Sequence, residues 1–466
     1  MSAEPYRLSE VLAVAKLHPF YVPDIEYPPS AEAVKFVRER TSGNELANLN
    51  SQKLLHKKSL YHAIERLVCD TRPQNTYRKS CYTSMTGGGS GGVPLFFATD
   101  VHENRRHRAW FGKFLNATGV IQNTDWVLTS HFAGHFYRSM DLIAEVMENS
   151  GATVLCGGSY MTTVEVGKAL ADYHVNVLSG ESSQVVNAVQ YISTLPQEQR
   201  DQINIEKVIY TSEMLSPTQR ACIAATLGPV SICSILGSAE AGPWAISNPD
   251  LTGDEGPTGS QDFIFDTRAM LIEIFHPSIM DGDYREITSR SDLEIMPDTE
   301  QGIIVQTSLH RLRNPLVRYI TGDIGSIHPL PETARAKLSE SDRDFFRVLR
   351  LHGRDRRFSF EWDGMYFEFE GLAAIFNTEE CGVLQWQLIL DHHESSPRSA
   401  IEVRLLCMPR TENLLSQEAV SERVKAFFNV YSGNQSRLCI TFLEDVNGFV
   451  RSTTGNKVIK FVDRFT

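Results

Sequence analysis

The sequence has no two cysteines spaced as C-x-x-C and no run of about 20 apolar residues of the kind that spans a bilayer. The first absence excludes the common zinc and thiol-redox motifs, because those sites need cysteines at short fixed spacings. The second predicts no membrane-spanning helix, and the N-terminus lacks the basic and apolar regions of a secretory signal. The eight cysteines are scattered, mostly in apolar contexts. We therefore expect buried reduced thiols and a cytoplasmic protein.

Positive charge is also scarce. Lys and Arg number 45 against 57 Asp and Glu, which gives a net charge of −12. This balance argues against nucleic acid and anionic membranes as partners, since no summed positive field attracts a phosphate backbone. A small anionic ligand is still compatible, because its site needs only local donors. The 466 residues predict two or three domains in a soluble monomer or homodimer.

What the chain does contain is a stretch, Thr83 to Pro94, with glycine at five of the six positions from 87 to 92. Glycine allows left-handed backbone and close approach of another group, and the neighbouring hydroxyls add donors. Such a loop suits a polyphosphate. It lacks the Gly-Lys-Ser/Thr ending of the common phosphate loop, so a plain turn is the alternative.

Residues 126 to 236 alternate between short apolar strands and helices of 10 to 12 residues, and two of the predicted helices run from Phe136 to Met147 and from Pro217 to Leu227. This pattern predicts a parallel sheet covered on both faces, with ligands beyond the carboxyl ends of its strands. Three predicted strand ends carry polar groups: Ser130 to Phe136, Thr211 to Met214, and Gly237 to Gly242. Ordinary helix capping by Ser212 or Ser216 is the alternative at the second of them.

From about residue 261 the pattern turns to antiparallel strands. One of them runs from Leu316 into a tight glycine turn that carries Asp323. A carboxylate at such a turn is able to accept hydrogen bonds from the two hydroxyls of a ribose, although a plain turn aspartate is the alternative. Beyond Gly353 a hairpin, helices and strands predict a compact α+β domain.

The prediction is thus an α/β protein. Its large N-terminal domain, residues 1–352, has mixed, mostly parallel sheets and a β subdomain. Its small C-terminal α+β domain, residues 353–466, ends in a polar turn that presents Lys457.

Six segments in this order resemble the adenylate-forming superfamily of acyl-CoA ligases and adenylation domains, most closely a divergent phenylacetate-CoA ligase. They cover roughly residues 80 to 466 and comprise Gly88–Pro94, Thr211–Met214, Gly237–Glu240, Tyr319–Asp323, Gly353–Asp355 and Gly455–Lys457. The resemblance implies an enzyme that uses ATP and Mg²⁺ to convert a carboxylic acid into an acyl-adenylate, with release of pyrophosphate. The acyl group then passes to CoA as the small domain rotates.

The resemblance also implies roles for individual residues. The β- and γ-phosphates of ATP would be held by Thr86, Gly88, Gly89, Ser90, Gly91 and Gly92. The adenine would be bordered by Ser212, Glu213, Gly237, Ser238 and Ala239. The ribose and phosphate region would be contacted by Asp323 and Arg354. Glu240 would ligate Mg²⁺. Lys457 would reach the α-phosphate and the carboxylate as the catalytic lysine, with Lys460 as its competitor.

In such an enzyme the acid pocket would be lined by Phe132, His135, Phe136, Ser159 and Ile235. Aromatic residues there would favour an aryl or heteroaryl acid. A helical core pair formed by Phe132 and Phe136 is the alternative. His131 and His135 have the i, i+4 spacing of helical metal ligands, but no third ligand is evident. The alternative is that one of them forms a salt bridge with a substrate carboxylate.

Three functions remain open. The first is an acid–thiol ligase that uses CoA. The second passes the adenylate to the thiol of a separate carrier protein or to an amine. The third is a non-catalytic nucleotide-binding homologue, which is motivated by Gly91, Val93 and Arg356 at positions where the family has a hydroxyl, a lysine and an acid.

Overall fold

The computed structural model describes residues 4–41, 47–85, 96–134, 136–212, 214–253, 260–280, 295–354, 359–362, 365–393, 396–410, 413–453 and 456–464. The helices within these residues are α1 (Leu8–Ala15), α2 (Ala31–Arg40), α3 (Lys57–Cys69), α4 (Val101–Ala117), α5 (Ser139–Asn149), α6 (Thr163–Asp172), α7 (Ser182–Thr194), α8 (Gln197–Arg200), α9 (Pro217–Leu227), α10 (Pro249–Thr252), α11 (Glu332–Lys337), α12 (Glu340–Arg343), α13 (Phe369–Phe376) and α14 (Gln417–Phe427).

The strands are β1 (Cys81–Met85), β2 (Phe96–Asp100), β3 (Trp126–Thr129), β4 (Ala133–Gly134), β5 (Tyr137–Arg138), β6 (Thr153–Cys156), β7 (Val177–Glu181), β8 (Lys207–Thr211), β9 (Ser231–Ser238), β10 (Gly242–Ser247), β11 (Gln261–Asp266), β12 (Met270–Phe275), β13 (Gly302–Ser308), β14 (Tyr319–His328), β15 (Phe346–Arg354), β16 (Ser359–Trp362), β17 (Met365–Glu368), β18 (Val383–His393), β19 (Ser396–Cys407), β20 (Leu438–Leu443) and β21 (Phe461–Asp463). Among the described helices, none has the length and apolar character needed to cross a bilayer.

The described residues form two compact units. The first unit takes in residues 1–127, 133–156 and 233–354. Its strands follow the order β12-β13-β14-β15-β11-β10-β9, and each neighbouring pair is antiparallel. The buried residues that pack in one cluster behind these strands include Leu60 of α3, Phe97 of β2 and Phe265 of β11. Helix α3 and the β1–β2 hairpin therefore share a core with this sheet.

The second unit takes in residues 128–132, 157–232 and 355–466. Strands β7 and β8 pair in parallel, and helices α7 and α8 connect them. The C-terminal part of this unit has its own sheet, in the order β20-β19-β18-β21. Strands β18 and β19 are antiparallel, whereas the two outer pairings are parallel. A separate hydrophobic cluster, which includes Trp362, Leu388 and Phe428, fills the space beneath this sheet.

The α/β class, the mixed strand directions and the separate smaller α+β part are as predicted. Two local predictions were wrong. The antiparallel region begins at β9, because a three-residue turn joins β9 directly to β10 without a crossover helix. The helix predicted from Phe136 begins only at Ser139, because Phe136 has φ 65° and connects the short strands β4 and β5. A left-handed residue cannot continue a right-handed helix.

The cysteines are less buried than expected. None of the eight, all of which the structure describes, forms a disulfide, but only Cys222, Cys233 and Cys381 are buried, while Cys69, Cys156 and Cys439 are exposed. Cys156 is the last residue of β6, so an apolar sequence context did not guarantee burial of its side chain.

Candidate functional site

The glycine-rich stretch lies between β1 and β2. These strands pair antiparallel from Cys81↔Asp100 to Met85↔Phe96, so both ends of the stretch are anchored by one hairpin. The predicted phosphate-binding residues Thr86, Gly88, Gly89, Ser90, Gly91 and Gly92 lie outside the described residues, as do Glu213 and His135. Their roles stay predictions.

The turn from β9 to β10 positions the predicted metal ligand Glu240. Gly237 is required here, because a Cβ at that position would lie 2.8 Å from the carbonyl oxygen of Gly242 on the neighbouring strand. The Ser238 hydroxyl accepts a hydrogen bond of 3.0 Å from the amide of Ala241, which closes the turn. The Glu240 side chain consequently points into the first unit, where the residue is 5% exposed.

Two tyrosines bind the Glu240 carboxylate. The hydroxyls of Tyr61 on α3 and Tyr319 on β14 donate to Oε1 over 2.9 and 3.0 Å. Burial, followed by the Glu240 charge, raises the pKa of Tyr319 well above its usual value, so this hydroxyl remains a donor at neutral pH. Within the part of the chain that the structure describes, both hydrogen bonds of this carboxylate end on Oε1, which leaves Oε2 for another ligand.

The described residues contain no group of three or more His, Cys, Asp or Glu side chains that could hold a metal by themselves. Mg²⁺ in nucleotide sites is usually held by one or two carboxylates together with phosphate oxygens and water. The single oriented carboxylate of Glu240 fits that requirement.

Asp323 lies in a bulge of β14, not in a tight turn as predicted. Ile303 pairs with Ile324 and Val305 with Ile320, so three residues of β14 face one residue of β13. Gly322 makes this possible with φ 79°, and the Thr321 hydroxyl donates to the carbonyl of Ile304 over 2.9 Å. A bulge redirects side chains from their regular alternation.

Within this bulge, Asp323 lies near Tyr319, which donates to Glu240. The negative charge of Asp323 is one of the causes that raise the pKa of Tyr319. Arg354, which is predicted to contact the ribose and phosphate region together with Asp323, is the strand partner of Asp323 across β14 and β15. Its side chain is outside what the structure describes, so its predicted contact stays a prediction.

The second unit contains a buried imidazole at the ends of β3 and β8. The ring nitrogens of His131 lie 2.9 Å from the Thr129 hydroxyl and 3.1 Å from the Thr211 hydroxyl. Burial, and then the charge of Lys457, lowers the pKa of His131 to about 3, so the ring is neutral at pH 7. Residues 131–134 are not helical and both nitrogens are engaged by threonines, so the i, i+4 pairing with His135 has no helical basis.

The two candidate lysines have different surroundings. The backbone of Lys457 is fixed by hydrogen bonds with Ser452 in both directions, of 3.1 and 2.8 Å, and its charge reaches His131. The ammonium of Lys460 instead donates to the side-chain oxygen of Gln385 and lies 4.8 Å from the ring centroid of Trp386. The Lys460 side chain is therefore engaged with two residues of β18, in the C-terminal part of the second unit.

The residues predicted for the acid pocket are in varied environments. In the second unit, Phe132 is buried with its ring 5.9 Å from that of Tyr160, and the buried Ser159 hydroxyl makes no hydrogen bond among the described residues. In the first unit, Ile235 is buried on β9 whereas Phe136 is 80% exposed. The alternative of a helical Phe132–Phe136 core pair is wrong, because neither residue is in a helix.

Ser212 is exposed with φ 86°, and Ser216, not Ser212, caps α9 by accepting from the amide of Gln219. The capping alternative therefore applies to Ser216 alone. Ser212 remains available for the predicted adenine contact.

Sequence reasoning missed three residues near these groups. Tyr61 lies in no recognisable motif, and nothing in an amphipathic helix distinguishes a tyrosine that donates to a distant carboxylate. His131 was considered only as a metal ligand or as a salt-bridge partner of a substrate carboxylate, and the neutral, threonine-bound ring fits neither role. Arg311, which is buried beside the Glu240 turn, lies in a segment without a recognisable motif.

No family model matches the chain. The sequence is 28% identical over 178 residues to the indoleacetate–lysine synthetase of Pseudomonas savastanoi. That match spans 36% of this chain and 42% of the relative, which is less than half of the relative's length.

Solved structures match over almost the whole chain. A 2-hydroxyisobutyryl-CoA ligase in the postadenylation state with 2-HIB-AMP has a TM-score of 0.65 at 15% identity, covering 98% of this chain and 88% of that one. The same ligase with 2-HIB-AMP and CoA in the thioesterification state has a TM-score of 0.53 at 13% identity, with the same coverage. The chain thus has the fold seen in these CoA ligases.

Proposed function

We propose that the protein activates a carboxylic acid with ATP, forming an acyl-adenylate and pyrophosphate, and then transfers the acyl group to CoA. The observation that carries the proposal is the position of Lys457, whose charge reaches His131. The His131 ring contacts the hydroxyl of Thr211, which begins the predicted nucleotide segment Thr211–Met214. Both reactants are anions, so a cation at the reacting oxygens is the main catalytic requirement. The fold shared with a ligase that was solved with an acyl-adenylate supports the same reading.

The described residues have defined roles in this proposal. Glu240, whose carboxylate accepts hydrogen bonds from Tyr61 and Tyr319, would hold Mg²⁺, which would supply positive charge against the negative charge of the phosphates. Asp323, placed by the bulge beside that group, accepts from the ribose hydroxyls. Lys457 stabilises the negative charge that develops as the carboxylate attacks the α-phosphorus.

The proposed roles of the other residues, and the proposed domain arrangement, rest on the sequence resemblance. We propose that Ser212, Gly237, Ser238, Ala239 and Arg354 border the nucleotide, and that residues 353–466 form a mobile domain that delivers Lys457. We further propose an aryl or heteroaryl acid, as in the phenylacetate-CoA ligase branch, with Phe132 and the Ser159 hydroxyl in its pocket.

Exchange of labelled pyrophosphate into ATP tests the first step. The assay takes purified protein, ATP, Mg²⁺ and a panel of aryl, heteroaryl, aliphatic and amino acids, one at a time. We expect exchange with at least one aryl acid and none when the acid is left out. If none of the acids supports exchange, the proposal is contradicted, and a non-catalytic nucleotide-binding protein is favoured.

Transfer to an amine is the second candidate function. It is favoured by the partial match to a relative named as an indoleacetate–lysine synthetase. The acid that gives exchange is incubated with CoA, with lysine and other amines, and with a carrier protein, and the products are identified by mass spectrometry. A thioester with CoA supports the first candidate, an amide supports the second, and an acylated carrier protein would replace both.

A further inference from the structure

Helix α9 is joined to the C-terminal part of the second unit by a buried side-chain hydrogen bond. The Nε2 of Gln219, a residue that is 8% exposed, donates to the carbonyl oxygen of Leu384 on β18. Leu384 is the extra residue of a bulge, because the residues on either side of it pair with two successive residues of β19. A bulge leaves its extra residue out of the regular strand ladder. The bulge therefore turns a strand carbonyl into an acceptor for Gln219.

The packing around this hydrogen bond is incomplete. A cavity of about 460 Å³ is lined by Thr218 and Ala221 of α9 together with residues of the C-terminal part that include Met408 and Leu414. The interior of a single domain is close-packed, with few voids larger than a water molecule. The contact between α9 and the C-terminal part therefore has the character of two docked surfaces, in which one buried hydrogen bond contributes a large share of the stability.

Strand β18 also holds the loop that carries Lys457. The buried side chain of Gln387 on β18 donates to the carbonyls of Val450 and Ile459 over 2.8 and 2.6 Å, and it accepts from the Val450 amide over 3.0 Å. The Ile459 amide donates to the Val450 carbonyl over 3.1 Å, so the two ends of this loop meet. Two glutamine side chains thus connect α9 to the loop whose lysine acts on His131.

We propose that Gln219 is a positioning residue that docks the C-terminal part on α9 and so places Lys457 for adenylate formation. The inference rests on the proposed function, in which Lys457 serves the first step and its domain then moves. Lys457 would stabilise charge at the α-phosphorus, so docking is needed while a bond to phosphorus forms. Transfer of the acyl group from a finished adenylate breaks no bond to phosphorus. Loss of the Gln219 hydrogen bond therefore slows the first step and spares the second.

Gln219→Glu tests this role with little change to α9. The Oε1 of Gln219 accepts from the Ser216 amide over 2.8 Å in the capping box of α9, and glutamate serves equally well at that position. The second carboxylate oxygen replaces the Nε2 donor and faces the Leu384 carbonyl without a proton. We expect pyrophosphate exchange, with the acid that the wild type uses, to fall about 10- to 100-fold, which is the scale of a buried acceptor left unpaired. Transfer from the synthetic acyl-adenylate to the acceptor of the wild type should change less than about threefold, because it does not depend on docking.

Ser216→Ala is the matched control. It removes the hydroxyl that accepts from the Gln219 amide over 3.2 Å and leaves the Gln219 side chain in place. Loss of this cap should lower the Tm, while exchange by the folded protein stays at the wild-type rate. A folded Gln219→Glu protein that exchanges at the wild-type rate, or that loses both steps equally, overturns the proposal.

His131 gives a second measurement that needs no substrate. Gln219→Met removes the donor without adding a charge, and it covers the case in which Gln219→Glu does not fold. If Gln219 holds Lys457 in place, the NMR signals of the His131 imidazole in Gln219→Met should shift toward those in Lys457→Ala, since the ring loses the same nearby charge. Unmoved signals overturn the proposal. A wild-type protein that exchanges with no acid contradicts the proposed function, while the His131 signals still test Gln219.

Discussion

Replacement of Lys457 and Lys460, each by alanine, distinguishes the two candidate lysines. Two unit charges about 4 Å apart interact by about 4 kcal/mol at an effective dielectric constant near 20. Loss of one such donor at a reacting oxygen typically costs about 10²- to 10³-fold in rate. We therefore expect Lys457→Ala to reduce pyrophosphate exchange by about 10²- to 10³-fold, with a near-normal Tm, because the side chain serves the reaction more than the core.

Lys460→Ala should behave in the opposite way. It removes a hydrogen bond to Gln385 and a contact with the Trp386 ring. Together these are worth about 1–2 kcal/mol of folding free energy, so the Tm should fall by several degrees. The exchange rate should stay within about threefold of wild type once the protein is folded.

His131 provides a readout of the geometry that needs no substrate. Burial, and then the charge of Lys457, together lower its pKa to about 3. In Lys457→Ala the pKa of His131 should rise, although burial still holds it below 6.5, and in Lys460→Ala it should not move. NMR titration of the imidazole measures both. Loss of exchange in Lys460→Ala with normal exchange in Lys457→Ala would refute the assignment, and an unmoved His131 in both variants would refute the geometry.

Three further predictions concern the first unit. Tyr61→Phe removes one of the two hydrogen-bond donors to Glu240. We expect the rate of pyrophosphate exchange at low Mg²⁺ to fall about tenfold, which is the scale of one charge-assisted hydrogen bond, with little change in Tm. An exchange rate equal to that of the wild type at all Mg²⁺ concentrations would contradict the role of Tyr61. Gly237→Ala should destabilise the protein by about 1–3 kcal/mol in urea unfolding, because the new Cβ would meet the Gly242 carbonyl; equal stability would contradict the close approach. The pKa of His18 falls from 6.5 to about 3 in the folded chain because of burial, so the unfolded chain binds more protons and stability is lost as the pH falls below about 6.5. At pH 5 the wild type has lost about 2 kcal/mol of folding stability in this way. His18→Gln has no imidazole to protonate, so its stability should not fall for this reason, and the stability difference between wild type and variant should narrow from pH 8 to pH 5.

The sequence by itself determined those elements whose signals are local. The bounds of helix α9 agree with those predicted from the sequence. The signals are the capping residue Ser216, Pro217 in the first turn and Gly228 after the last turn, and in the structure Ser216 caps the helix and Gly228 has φ 80°. The hairpin of β16 and β17 was likewise evident from alternation around Asp363-Gly364. Backbone geometry of this kind depends on neighbouring residues, so it can be read from neighbouring letters.

Only the tertiary structure decided which side chains meet. Tyr61 and Glu240 are 179 positions apart in sequence, and their hydrogen bond exists because α3 packs on the sheet that carries the turn after β9. The bulge that redirects Asp323 depends on the register of β13 against β14. Whether a charged side chain is buried, and which opposite charges lie beside it, depends on residues that are distant in sequence. The sequence could therefore predict the residue types of the site but not which of its charges are buried.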